Sequence, residues 1–349
     1  MKIAICSSSI PFLYGGARNI VDWLYDMLRS KGHTVEKIYL PFVDTPDLLF
    51  RQFFAYQHID LSHADRIICI RPPAHLIPHP HKILWFIHHL RVFYDLWESD
   101  FKNFPEDEKH KGLQKAIHAL DNQAFKTAKK IFTNSQVVSN RLWHYNRVSS
   151  EVLYPPIFQP ERFFCQDFND EIIYLSRIEA HKRQSLLIEA LSYTRSPVKL
   201  RLLGATSDPN YERTLRDLID SLGVTQRVIF NNQWIDELTK INDLSACLAV
   251  AYLPLDEDSY GYPSLEACHS GKPILTTQDS GGVTELVIDG INGYVTLPTA
   301  EALAVAMDAL FYDRERTKQM GQNALHHLST LKISWQHVLN RLLDENINC

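Results

Sequence analysis

The chain has 349 residues, six cysteines and a formal net charge of −5. That length exceeds what one hydrophobic core ordinarily organises, so two domains are expected. The acidic balance argues against a nucleic-acid partner, which would select a basic surface. The best apolar run, Ile83-Leu84-Trp85-Phe86-Ile87, falls far short of the about 20 residues of a membrane span. Met1-Lys2-Ile3-Ala4-Ile5 passes straight into Ser7-Ser8-Ser9, which is unlike a secretory signal. The cysteines, at positions 6, 69, 165, 247, 268 and 349, are too widely spaced for a metal knuckle or a redox pair. A reducing, cytoplasmic compartment fits that usage.

In chain order, Lys2 to Cys6 reads as a short buried strand. After the loop SSSIPFLYGG, Ile20, Val21, Leu24, Met27 and Leu28 fall at helical spacing over Ala17 to Lys31, and Gly32-His33 stops the helix. Val35 to Leu40, Asp65 to Arg71, Lys82 to Ile87 and Ile131 to Thr133 are strand candidates. Ser135 is placed to cap a helix over Gln136 to Tyr145. The three prolines of Leu153 to Pro160, LYPPIFQP, make a stiff connector. It divides the chain into domains 1–154 and 161–331. Beyond it the alternation restarts. Strands are expected at Glu171 to Leu175, Val198 to Leu203, Val228 to Phe230, Ala246 to Tyr252 and Pro273 to Thr277. Helices are expected over Arg183 to Leu191 and Tyr211 to Leu222. The fold class is therefore α/β, with two parallel sheets covered by helices. Ligands are expected at the carboxyl ends of the strands, in a cleft between the domains.

The stretch EDSYGYPSLEACHSGKPILTTQDSGG, Glu257 to Gly282, carries most of the chemistry. It follows an apolar strand. Pro263 suits the first turn of a helix that runs to about Ser270 and stops at Gly271. The open amides of that turn and the helix dipole form an anion site, with phosphate the obvious anion. Gly261 lets a ligand approach the backbone. Asp258 and Glu266 flank the turn, with Tyr260, Tyr262, Ser264 and Leu265 between them. Carboxylates accept hydrogen bonds from sugar and ribose hydroxyls, so one acid on each side of a diphosphate suits a nucleotide-sugar. For Glu266 alone, complementing the helix dipole is an equal reading.

Other elements point the same way. In SRIEAHKRQSLLIEAL, Arg177 closes a strand and Lys182 precedes a helix. Both can face a diphosphate, or can be a solvated basic loop. Gly204 ends the next strand. Gly15 and Gly16 open the first helix and leave its N-terminus clear for a ligand. His88 and His89 follow the strand KILWFI and can hydrogen-bond a sugar or polarise a leaving oxygen. His75, His79 and His81 lie nearby, but no Cys or carboxylate joins them at ligand spacing. No metal is expected.

Together these residues resemble the retaining glycosyltransferases of family 4, the group 1 glycosyltransferases, over nearly the whole chain. The most specific elements are Glu257 to Gly282 and DSGGVTELVIDGINGYV, Asp279 to Val295. The resemblance implies the GT-B fold, with two Rossmann-like, doubly wound domains facing a cleft. Its C-terminal helix, about 332–349, would cross back to the first domain. It implies a nucleotide-sugar donor held by the second domain and a glycan or lipid-linked saccharide acceptor on the side of the first. Arg177 and Lys182 match the family's diphosphate contacts, and Glu266 its ribose contact. Asp258 stands where the family has Glu, near the transferred sugar, with Glu257 beside it. Gly15 and Gly16 match a loop near the phosphates, and His88 or His89 a histidine near the donor sugar. Gly281 and Gly282 match a tight turn near the site. No metal or other cofactor is implied.

Three alternatives accompany this reading: an epimerase or a phosphorylase of the same fold, and a non-catalytic nucleotide-sugar sensor. Leu90 to Lys111 mixes aromatics with charges. It reads as a headgroup-facing segment of a peripheral membrane enzyme, or as an amphipathic helix that turns Phe93, Leu96 and Trp97 to its own core.

Overall fold

The computed structural model describes residues 1–344 except 13, 14, 100, 101, 103 and 207. The chain divides into two units. Unit 1 is Met1–Pro156 together with the residues from Ile333 onward, and unit 2 is Ile157–Lys332.

Unit 1 runs β1 (Lys2–Ser9), α1 (Gly16–Ser30), β2 (Thr34–Pro41), α2 (Leu49–Gln57), β3 (Arg66–Cys69), β4 (Lys82–Phe86), α3 (Glu108–Lys126), β5 (Lys130–Thr133), α4 (Gln136–Asn146) and β6 (Glu151–Val152). Its sheet is parallel, in the order β2-β1-β3-β4-β5-β6. Successive residues of β1 enter different cores: Ile3 and Ile5 pack with α1, while Ala4 and Cys6 pack on the opposite face. Burial on both faces explains the unbroken apolar runs. β1 continues past the expected end at Cys6, through three serines. Ser7 and Ser8 are buried, and their hydroxyls donate to Ser8 O at 3.2 Å and Pro72 O at 2.5 Å.

Unit 2 runs β7 (Glu171–Leu175), α5 (Gln184–Tyr193), β8 (Lys199–Gly204), α6 (Pro209–Ser221), β9 (Val228–Asn232), α7 (Glu237–Ala246), β10 (Ala249–Ala251), α8 (Tyr262–His269), β11 (Ile274–Thr277), β12 (Gly293–Thr296), α9 (Ala300–Tyr312) and α10 (Arg314–Thr330). Its parallel sheet is ordered β12-β11-β10-β7-β8-β9. The chain builds outward from β7 in one direction and then from β10 in the other. The crevice between β7 and β10 is a topological switch point, where such sheets bind ligands.

α11 (Trp335–Leu342) returns to unit 1. Trp335, Val338, Leu339 and Leu342 join the core beneath α1, each burial stabilising by about 1.5–3 kcal/mol. Arg341 forks onto Glu151 at 2.7 and 2.8 Å, and Arg66 Nη1 donates to Leu342 O at 2.6 Å.

Leu90 to Lys111 is not one amphipathic helix. A 3₁₀ turn at Arg91–Phe93 is followed by tight turns, and α3 begins only at Glu108, capped by Asp107. Pro105 would break any helix running through from Leu90. Phe93 and Tyr94 are buried, and Phe93 packs on Phe104 at 5.1 Å and Trp97 at 6.2 Å between ring centroids. These aromatics belong to the unit 1 core and do not form an exposed face. Phe101 lies outside the described residues.

Candidate active site

The site builds up at the switch point of unit 2. β7 ends at Leu175, so Ser176 and Arg177 emerge at its carboxyl edge. The Arg177 side chain is 54% exposed, and its Nη1 donates to Glu179 Oε1 at 2.6 Å. Gln184 holds the loop from behind, its Nε2 donating to Arg177 O at 2.9 Å and Ser176 Oγ at 3.0 Å. Gly204 has a structural reason to be glycine: a Cβ there would lie 1.7 Å from Ser176 O. The end of β8 thus closes directly onto the loop that carries Arg177.

Lys182 ends a 3₁₀ turn, Ala180–Lys182, and is buried. Its ammonium ion-pairs with Glu257 and donates to Tyr252 Oη at 3.0 Å. Burial and the Glu257 carboxylate push the Tyr252 hydroxyl well above the usual tyrosine range, so it stays protonated. The acid beside Lys182 is therefore Glu257, while Asp258 follows it half-buried.

The next residue carries a role that sequence reading missed. Arg183, expected as the first helical residue, instead adopts a left-handed conformation with φ 57°, and α5 starts at Gln184. A non-glycine residue there costs about 1–2 kcal/mol. Its guanidinium donates to Leu253 O at 2.6 Å, Pro254 O at 3.1 Å and Thr277 Oγ1 at 2.8 Å, and forks onto Asp279 at 2.8 and 2.9 Å. The only available signal was an Arg in a strand-to-helix loop, which does not reveal its partner.

α8 follows β10 as the motif requires. Gly261 precedes it with φ 71°, and a Cβ there would meet the Tyr252 ring at 2.4 Å. No side chain caps the helix, and Pro263 sits in its first turn. The Ser264 hydroxyl is buried without a partner among the described residues. These features leave the helix N-terminus suited to an anion. Tyr262 and Pro263 are half-buried on that turn, whereas Tyr260 and Leu265, expected to line a donor, have fully buried side chains that pack the core. Glu266 is also buried, and Lys240 on α7 meets it at 2.6 Å. Burial pushes the Glu266 carboxyl up against the pull of Lys240. Lys240 is held above the usual lysine range: burial opposes this, but Glu266 and Glu237 outweigh it. Glu266 is thus more than a dipole-complementing surface acid. Gly281 and Gly282 lie under the acidic loop, where their Cβ atoms would fall 2.3 Å from Glu257 O and 2.5 Å from Ser259 Cα.

In unit 1, α1 begins after Gly15, whose backbone is extended and which has open space where a Cβ would be. Neither a tight turn nor close packing requires glycine at 15, and Gly16 is the exposed first residue of the helix. The two histidines after β4 separate sharply. His89 is buried among Phe86, Tyr94, Phe125 and Tyr145, and its Nε2 donates to Asn146 Oδ1 at 2.9 Å. His88 is half-buried, and its Nδ1 donates to His89 O at 2.6 Å. Burial holds both rings at a pKa of about 4. A carbonyl can only accept, so the His88 proton is on Nδ1. Its Nε2 is then an acceptor at neutral pH, able to take a hydroxyl proton's hydrogen bond but not to polarise a leaving oxygen. Among the described residues no three His, Cys, Asp or Glu side chains gather as a metal site would need. Nor is any helix long and apolar enough to cross a membrane.

Residues 163–327 match the family described as glycosyl transferases group 1. The D-inositol 3-phosphate glycosyltransferase of Nocardia farcinica is 30% identical over 186 residues, covering 50% of this chain and 39% of that protein. The GDP-mannose-dependent alpha-(1-6)-phosphatidylinositol monomannoside mannosyltransferase of Mycolicibacterium smegmatis is 30% identical over 161 residues, covering 44% and 42%. The matched chain spans about two-fifths of the length of these curated relatives. Among solved structures, Anabaena HepE in complex with UDP and glucose superposes with a TM-score of 0.72 at 17% identity, over 98% of both chains. WaaG, a glycosyltransferase involved in lipopolysaccharide biosynthesis, gives 0.69 at 15% identity, over 98% of this chain and 100% of its own. The shared fold is GT-B. Through residues 163–327, nearly all of its second unit, this chain is similar to the group 1 glycosyltransferases.

Proposed function

We propose that the protein is a retaining, metal-independent hexosyltransferase. It moves a sugar from a nucleotide-sugar donor to a glycan or lipid-linked saccharide acceptor, in the cytoplasm. The observation that carries this reading is the convergence, at one switch point, of Arg177, the Lys182–Glu257 pair and the uncapped N-terminus of α8. In the transfer, the bond between the anomeric carbon and the diphosphate oxygen breaks, and its electron pair leaves with the nucleoside diphosphate. The acceptor oxygen bonds the anomeric carbon, and its proton passes to the departing diphosphate. Negative charge therefore grows on the diphosphate. Arg177 can leave Glu179 to meet it, Lys182 adds a second cation, and the α8 amides add fixed dipoles, an electrostatic preorganisation that needs no metal. Glu266 accepts from the ribose, and Asp258 with Glu257 from the sugar. His88 accepts a sugar hydroxyl through Nε2. The Mycolicibacterium relative is named for a phosphatidylinositol-linked acceptor, which supports a lipid-linked one here.

A panel of nucleotide-sugars tests the reading. The right donor raises the melting temperature by mass action, worth about 2.7 kcal/mol at a hundredfold excess over Kd, and slowly releases nucleoside diphosphate even in excess EDTA. No stabilisation by any donor would remove the assignment. Activity abolished by EDTA and restored by a divalent ion would remove metal independence.

A further inference from the structure

We propose that Arg183 is a positioning residue for the anion site: its guanidinium locks the segment Leu253–Glu257 against the β11 loop, so that Glu257 stays in reach of Lys182. Arg183 follows Lys182 directly but bonds a different set of partners. Only 16% of its side chain is exposed. From the β7–α5 loop it bonds the carbonyls of Leu253 and Pro254 just beyond β10, Thr277 at the end of β11 and Asp279 just beyond it. Three loops at the carboxyl edge of the sheet are tied by one fork. Asp279 is itself braced by Thr277 Oγ1 at 2.8 Å. The burial that would raise its carboxyl is overcome by Arg183 and Thr277, which hold it below the usual range.

The backbone continues the same tie. Asp256 N donates to Asp279 O at 2.8 Å, and Gly282 N to Glu257 O at 2.9 Å. Asp256, like Arg183, is left-handed, with φ 48°. The loop that presents Glu257 is thus held in an unfavourable conformation by contacts that converge on Arg183 and Asp279. Such over-determined conformations persist only where the surroundings enforce them. Lysine could supply the charge but not the planar fork.

The test uses the full chain with Arg183→Met, Arg183→Lys and Asp279→Ala. It reads hydrogen exchange of peptides covering 253–259 and calorimetric titration with UDP and with GDP. We expect the exchange of 253–259 to rise at least tenfold in all three variants, while peptides from β1 and α1 stay unchanged. We expect nucleoside diphosphate affinity to fall about tenfold, with Arg183→Lys no better than Arg183→Met. Unchanged exchange at 253–259 would overturn the inference. So would full recovery of affinity by Arg183→Lys, because the role would then be charge alone. If Arg183→Met does not fold, Asp279→Ala decides, since that side chain is 37% exposed. The affinity arm rests on the donor reading proposed above, and the exchange arm does not. Loosened exchange in a protein that binds neither UDP nor GDP supports the clamp and removes these two nucleotides as its ligands.

Discussion

Near the carboxyl edge of the unit 2 sheet, Lys182, Arg183 and Lys240 each lie within ion-pair distance of a carboxylate. At the carboxyl end of β4 in unit 1, His88 and His89 form no ion pair among the described residues and are held neutral by burial. Both sheets have six parallel strands between helices, so the contrast is not one of architecture. It follows from the cost of burying charge. An ammonium or guanidinium keeps its charge in a crevice only if a carboxylate and further acceptors surround it. Imidazole avoids that cost by losing its proton, and neutral partners then suffice. Asn122, Asn146 and His89 form such a neutral chain, with links of 2.7 and 2.9 Å. Unit 2 can therefore answer a charged ligand, while His88 offers a neutral one a lone acceptor.

The largest expected effect breaks the charged side of this contrast. Lys182→Met leaves Glu257 without its cation and the leaving diphosphate without a counter-charge. We expect kcat/KM to fall 10²–10³-fold, the range for losing one electrostatic stabiliser, and Arg177→Ala to fall at the lower end of it. Steady-state kinetics with the donor found by the panel checks both. Near wild-type rates in both variants would detach these cations from the diphosphate.

Acid tests the neutral side. The folded pKa values of about 4 for His88 and His89 lie below the ordinary 6.5. The unfolded chain therefore binds protons first. Stability is complete above pH 6.5 and falls as the pH drops from 6.5 to 4. For His89, 2% exposed, the loss is of the order of 3 kcal/mol. Denaturant titrations at pH 7 and pH 4.5, followed through unit 1 fluorescence, should show the difference. His89→Phe should remove the His89 share of it, and an unaltered slope would mean the ring is not held neutral.

A smaller effect concerns Gly261→Ala, with its positive φ and the close Tyr252 ring. We expect a cost of about 1–3 kcal/mol and weaker nucleoside diphosphate binding, read by thermal melts with and without UDP or GDP. The smallest is Glu151→Gln. Arg341 first and Lys130 second hold the Glu151 carboxyl at about 2, below its usual 4.5. That contribution is present above pH 4.5 and lost as the pH falls toward 2. Because the pair is a third exposed, we expect under about 1 kcal/mol. Urea melts at pH 7 check it, and a larger loss would mean that α11 depends on this pair more than on its apolar face.

Much of this molecule is legible from local sequence. The apolar run at Lys82–Phe86, the restart at Glu171–Leu175 and the Gly261-Tyr262-Pro263 turn each follow from neighbours a few residues apart. So does the placing of Arg177 and Lys182 just beyond β7. Local patterning also misled. The aromatics of Leu90–Lys111 read as one helical or exposed face, because sequence does not show that Phe93 and Phe104 meet across a turn.

What the sequence by itself determined was the α/β alternation, the position of the connector and the residues gathered around α8, since helix and strand periods span only a few residues. Only the tertiary structure decided the strand orders, the choice of Glu257 over Asp258 as the partner of Lys182, the pairing of Glu266 with Lys240, the separation of His88 from His89, and the grip of Arg183 on Asp279. Those partners stand 75, 26, 57 and 96 residues apart for Lys182–Glu257, Lys240–Glu266, His89–Asn146 and Arg183–Asp279. Such pairs meet only when the sheet brings its strand ends together, and burial then decides which charge survives.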